Sequence, residues 1–153
     1  MDIPIRFLDN QVLAPETFLI RQLAGEGMMP DLVHLNSLVI RAEQPVIVDT
    51  GAPLPRDLWL EQVFGIVDPA DVRWIFISHD DPDHTGGLHA LLDACPRAKI
   101  VLTWFAFVRM GIDHGIPIDR IHITNPGESL DVGDRTLQAV VPPAFDNPTT
   151  RGL

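Results

Sequence analysis

Val72-Arg73-Trp74-Ile75-Phe76-Ile77-Ser78-His79-Asp80-Asp81-Pro82-Asp83-His84-Thr85-Gly86-Gly87 is the stretch on which the fold turns. Its first six residues form an apolar run, which reads as a buried strand. The polar residues that follow sit at that strand's carboxyl end. Four of them, His79, Asp81, Asp83 and His84, are potential metal ligands within six residues. Burying such side chains unpaired costs several kcal/mol. A bound cation is the simplest way to make the cluster tolerable.

Spacing refines that expectation. In an extended segment His79, Asp81 and Asp83 project to one side, and His84 breaks the parity. Pro82 biases Asp81 toward extended geometry. A loop of this kind can place ligands around two adjacent cations. The donors are imidazole and carboxylate with no thiolate, which suits iron or manganese somewhat better than a nitrogen-rich zinc site. Zinc stays open as the alternative. An acidic helix N-terminus capped by Asp83 or Thr85 accounts for one or two of the acids. It does not account for both histidines.

Outward from the cluster, strands and helices alternate. Leu32–Ile40 and Pro45–Asp49 read as strands, the second stopped by Thr50-Gly51. Trp59, Val63 and Ile66 lie on one face of a helix expected between Pro53 and Ile66. Leu88, Leu91, Leu92 and Cys95 give a helix directly after the cluster, with Cys95 on its inner face. Ala98–Thr103 is a strand, a helix begins at Trp104 and ends near Gly111, and Ile121–Ile123 is a short strand. Leu130–Leu137 reads as a hairpin turning at Gly133-Asp134. Phe18–Ile20 is the one strand expected before Asp31, and the tail Pro142–Pro148 is expected to be irregular. The fold class is therefore α/β, layered, with a mixed sheet and antiparallel strands at both ends. The cluster occupies a strand-to-helix loop, where such folds place their sites.

The remaining polar residues are expected to be structural. His34 lies in an apolar strand and reads as a satisfied structural histidine. His89 is placed on a polar helix face, His122 points away from the core, and His114 lies at a helix C-terminus. Trp104, Phe105 and Phe107 read as core.

Composition sets the outer limits. The chain has 153 residues, 46% hydrophobic and 21% charged, enough for one domain with a real core. Its formal net charge is −10, and Lys99 is the only lysine. That balance argues against nucleic acid or an anionic membrane surface as partner. The single cysteine makes no internal disulfide, no segment of signal-peptide type opens the chain, and no run approaches the about 18 apolar residues that span a membrane. A cytoplasmic protein is the expectation.

His79-Asp80-Asp81-Pro82-Asp83-His84, followed by Thr85-Gly86-Gly87, resembles the His-x-His-x-Asp-His motif of the metallo-β-lactamase superfamily. Val46-Ile47-Val48-Asp49-Thr50-Gly51 is similar to the strand ending in Asp-Thr/Ser-Gly that precedes the motif there. The likeness covers roughly residues 31–150. It implies one αβ half of an αββα sandwich, with Asp49 supporting the metal loop by hydrogen bonding. Asp81 replaces the middle histidine. A carboxylate at that place resembles the flavodiiron, or oxygen-binding diiron (ODP), branch, whose motif is His-x-Glu-x-Asp-His. The next ligand of that branch is usually a histidine in a later, Pro-rich stretch, and Asp146 stands at that place here.

The resemblance implies two divalent metal ions, iron before zinc, with His79, Asp81 and Asp146 at one and Asp83 and His84 at the other. It implies O2 or NO as substrate and a separate electron donor, with a dimer left open. No FMN site is expected in this chain, which reads as a single, truncated domain lacking the superfamily's second half. Two alternatives stand beside the diiron reading. One is a zinc hydrolase in which Asp83 orients or deprotonates a metal-bound water before it attacks a small-molecule substrate. The other is a non-catalytic fragment.

Overall fold

The computed structural model describes residues 3–28, 30–144 and 146–153, with the backbone alone at 112 and 113. The tip of the N-terminus and Phe145 of the irregular tail lie outside the described residues. Seven strands form one sheet in strictly sequential order: β1 (Ile5–Ala14), β2 (Thr17–Ala24), β3 (Val33–Ile40), β4 (Val46–Val48), β5 (Trp74–Phe76), β6 (Lys99–Leu102) and β7 (Ile121–Ile123). Pairs from β1 to β4 are antiparallel and pairs from β4 to β7 are parallel. The expected α/β class with a mixed sheet is thus what the chain adopts.

The connections follow from strand direction. Parallel neighbours need crossovers, and α1 (Arg56–Phe64), α2 (Pro82–Thr85) with α3 (Leu88–Ala94), and α4 (Trp104–Asp113) supply them. Sequential order with one crossover hand puts every helix on the same face of the sheet. That face holds the main core. Ile47, Ile75 and Ile100 from adjacent strands meet Trp59, Val63, Leu88, Leu91, Cys95 and Met110 from the helices. Val46, Phe76 and Val101 point the other way. Leu130 and Val132 cover them from the hairpin β8 (Ser129–Asp131) and β9 (Thr136–Gln138), which forms where the Gly133-Asp134 turn was expected.

Three expectations need correction. Residues before Asp31 carry a long β1–β2 hairpin rather than one short strand, because β2 buries Ile20, Gln22, Leu23 and Ala24 while β1 is largely exposed and shows no apolar pattern. His34 is exposed. Leu35, Ser37 and Val39 take the inward positions of β3, so His34 falls on the outward parity. Trp104 and Phe105 are 60% and 47% exposed. Thr103 caps α4 by accepting from Ala106 N–H, and that register turns Ala106 and Met110 inward and 104, 105 and 108 outward. Phe107 does pack on the core. The helix also runs past Gly111 to Asp113, with His114 at its C-terminus as expected.

Candidate metal centre

Two loops at the carboxyl ends of β4 and β5 build most of the site, and the tail after β9 adds Asp146. Asp49, Thr50 and Gly51 leave β4 in a sharp turn, with φ of 60° at Asp49 and 65° at Gly51. A non-glycine residue at positive φ is uncommon, and aspartate tolerates it better than most. The turn is laced to the second loop by backbone bonds: Thr50 N–H donates to His84 O, Gly86 N–H to Gly51 O, and Gly87 N–H to Thr50 O. Gly86 and Gly87 make this approach feasible. A Cβ on Gly86 would run into the backbone of Ala52 and Pro53, and one on Gly87 would lie 2.5 Å from Thr50 O.

Asp49 is 5% exposed, and hydrogen bonds surround its carboxylate. Oδ1 accepts from Ser78 N–H at 2.7 Å, and Oδ2 accepts from the Ser78 hydroxyl at 2.7 Å. His84 Nδ1 lies 2.8 Å from the same Oδ2. The Ser78 hydroxyl, donating to Asp49, is also 3.2 Å from His79 Nδ1 and can accept its proton. Both Nδ1 atoms are therefore engaged on the Asp49–Ser78 side, which directs both Nε2 atoms the other way. The two rings lie against each other with centroids 3.8 Å apart, tilted by 46°.

Around those Nε2 atoms gather the carboxylates. His79 Nε2 is 3.1 Å from Asp146 Oδ2 and 3.6 Å from Asp81 Oδ2. His84 Nε2 is 3.3 Å from Asp83 Oδ2. Two sets of ligand-type atoms each lie within 4.8 Å of one another: His79, Asp81 and Asp146, and His79, Asp83 and His84. The structure thus brings together all five residues expected to ligate metal, with Asp49 against His84. Asp146 leads directly into a turn in which Asn147 N–H donates to Thr150 Oγ1 and Thr150 N–H to Asn147 O, so it is both a turn neighbour and part of the cluster.

Charges in the cluster are coupled. Burial pushes the His84 imidazole down, but hydrogen bonds and charges from Asp49 and Asp83 outweigh it and hold the group up at about 10. The bond to His84 holds the Asp83 carboxyl below its usual range. Without metal, His84 carries a proton on the side facing Asp83, where a cation would replace it. Converging Nε2 and carboxylate oxygens, with the opposite ring nitrogens already braced, are a donor set that fits two closely spaced divalent cations.

Sequence reasoning missed four residues here. Ser78 directly follows the apolar run and belongs to no motif that marks it. Asp80 stands between two expected ligands, yet its carboxylate is 5% exposed and accepts from Arg109 Nε at 2.6 Å, Thr149 Oγ1 at 2.9 Å and Asn147 Nδ2 at 3.3 Å. Burial works against its charge, but Arg109 and Thr149 hold its carboxyl below the usual range. No local pattern announces Asn147 or Thr149, because their partners lie 66 to 69 residues away. The sign available was the run of two aspartates, Asp80-Asp81, one more acid than the ligand set needs.

Comparison with known proteins agrees with this architecture. Residues 33–145 match the ODP family beta lactamase model. A putative diflavin flavoprotein A 2 from Nostoc sp. is 35% identical over 129 residues, 79% of this chain and 22% of that protein. An anaerobic nitric oxide reductase flavorubredoxin from Salmonella typhi is 30% identical over 99 residues, 65% of this chain and 21% of that protein. A mutant of the flavo di-iron protein from Thermotoga maritima superposes with a TM-score of 0.82 at 19% identity, covering 99% of this chain and 39% of that one, a likeness of fold. The chain spans about a quarter or less of the length of these curated relatives.

Proposed function

We propose, from the premise that this chain belongs to the ODP beta-lactamase family, that it holds a dinuclear iron site that reduces O2 or NO with electrons from a separate redox protein. The observation that carries this reading is the carboxylate-rich face on His79. Asp81 and Asp146 both reach its Nε2, so one metal position is composed of a single imidazole and two carboxylates. Hard oxygen donors of this number suit iron or manganese over zinc. The names of the relatives, a nitric oxide reductase and a flavo di-iron protein, support the redox reading over the hydrolytic one.

Each residue has a part. His79, Asp81 and Asp146 hold the first position. Asp83 and His84 hold the second, with His79 close to both. Asp49 and Ser78 fix both imidazoles in the tautomer that presents Nε2. Two ferrous ions held there would supply electrons to O2 or NO. Asp83, ionised beside His84 and 37% exposed at its side chain, offers its carboxylate to the second position from the open side of the cluster.

Elemental analysis of protein purified without added metal tests the assignment, followed by anaerobic loading with Fe2+ and measurement of O2 and NO consumption with a chemical reductant. Iron bound near two per chain with iron-dependent consumption is the expected result. A protein that loads only zinc and consumes neither gas overturns it. Zn2+-dependent turnover of a thioester or phosphodiester, lost in His84→Ala, would replace it with the hydrolytic reading.

A further inference from the structure

The tail after Asp146 is not simply draped over the loop. Asn147 sits 3.1 Å from Asp81 Oδ1 and 3.3 Å from Asp80 Oδ1 through one side-chain nitrogen, Nδ2. Its own Oδ1 accepts from Thr149 N–H at 2.8 Å, with Thr149 Oγ1 also at 2.5 Å. Both ends of the amide are occupied, so its orientation is set. Asp80 is the anchor beneath it, itself pinned by Arg109 and Thr149. A further strap is Arg151 N–H donating to Ser78 O at 2.7 Å.

The consequence falls on Asp81. Its carboxylate is half exposed, and on a flexible polar loop it could turn either oxygen, or both, toward a cation. Asn147 engages Oδ1 and leaves Oδ2 on the side of His79 Nε2, 3.6 Å away. The chemistry at 147 must be a donor. An acid there would place a third carboxylate within about 3.3 Å of two others, where like charges disfavour one another's ionised form.

We propose that Asn147 is a positioning residue for the first metal position: it makes Asp81 a one-oxygen ligand and holds that oxygen beside His79 and Asp146. The assignment rests on the metal-binding reading above. It adds that the selectivity and strength of one position depend on a side chain that touches no metal, carried by the same short segment that supplies Asp146.

Metal titration of the whole protein separates this role from a purely structural one. Anaerobic calorimetry with Fe2+, and Mn2+ titration followed by electron paramagnetic resonance, are expected to resolve two equivalents per chain in the wild type. Asn147→Ala and the isosteric Asn147→Asp are expected to weaken one equivalent by about 10–100-fold, the range for lost partners of ligating groups, and to leave the other unchanged. In an Asp81→Ala background Asn147→Ala should add no further loss, because the effect runs through Asp81. Asn147→Asp keeps the acceptor that Thr149 uses, and it carries the test should the alanine substitution cost too much stability to titrate. The proposal is overturned if both equivalents keep wild-type affinity in Asn147→Asp. It is overturned equally if both fall together with the melting temperature, or if the loss persists undiminished without Asp81. A wild-type protein that takes up no metal overturns the metal reading itself, and is distinguished from these outcomes because it needs no variant.

Discussion

The two halves of the cluster are built in different ways. Asp83 and His84 belong to a site that the sheet itself prepares: Asp49 at the end of β4 and Ser78 after β5 are neighbours across a parallel pair, and their bonds fix His84 from behind. His79 shares that support, but its other partners do not. Asp81 and Asp146 have side chains 47% and 66% exposed, and they meet where the tail is latched to Asp80, Asp81 and Ser78. The first arrangement is part of folding. The second is added on the surface, so the two should respond differently to the same kind of lesion.

Asp49→Ala is the most severe test of that difference. It removes one buried carboxylate from three donors at once and puts alanine at a positive φ. Breaking a buried charge network by deleting one partner costs about 3–5 kcal/mol, and a loss of this size is expected in denaturant unfolding of the metal-free protein. A loss within the error of a surface substitution would show that the Asp49 network is not part of folding. Gly86→Ala attacks the same region sterically. Its Cβ meets the Ala52–Pro53 backbone, which has no rotamer to yield, and overpacking of that kind costs about 1–3 kcal/mol. Gly115→Ala, where a Cβ meets nothing within 4 Å but φ is 58°, is the control for backbone strain alone.

The pH dependence of the metal-free protein comes next. His84 is raised from 6.5 to about 10 by Asp49 and Asp83 against the effect of burial. A group whose folded value is raised lends stability that is complete below its unfolded value and disappears as pH rises through the folded one. Stability from this proton is therefore present at pH 6, declines between pH 6.5 and 10, and is gone above. Melts across that window should show the decline in wild type and a shallower one in Asp83→Asn. A metal at His84 competes with the same proton, so binding there should strengthen as pH rises.

Much of this contrast could be read from the chain, and the reason is locality. The ligand loop, its buried strand and the Asp49 turn are contiguous motifs with short-range geometry, and each stands where expected. Asp146 was reached by resemblance, not by pattern. The first hairpin escaped because β1 is exposed along most of its length, leaving no period to detect. The aromatic start of α4 looks like core by composition, but the register that Thr103 imposes turns it outward. Asp80 and Asn147 stayed hidden for a different reason. A polar pair such as buried Asp80 and half-buried Asn147, 67 residues apart, carries no sequence signature until the chain is folded.

Asp146→Ala tests the smallest energy and the sharpest separation. Asp146 is exposed, and the turn bonds that follow it belong to Asn147, Thr149 and Thr150. Surface substitutions away from special features stay within about 0.5 kcal/mol, so unfolding of the metal-free protein should hardly change. Metal uptake should change a great deal, because His79 and Asp81 alone leave the first position two donors. One equivalent should be lost or greatly weakened in titration, with the Asp83–His84 equivalent retained. Set beside Asp49→Ala, which costs stability first, this variant would show that a binding position can be removed without touching the fold that carries its neighbour. Loss of both equivalents would mean that the two positions fill cooperatively, and that the surface half governs the buried one.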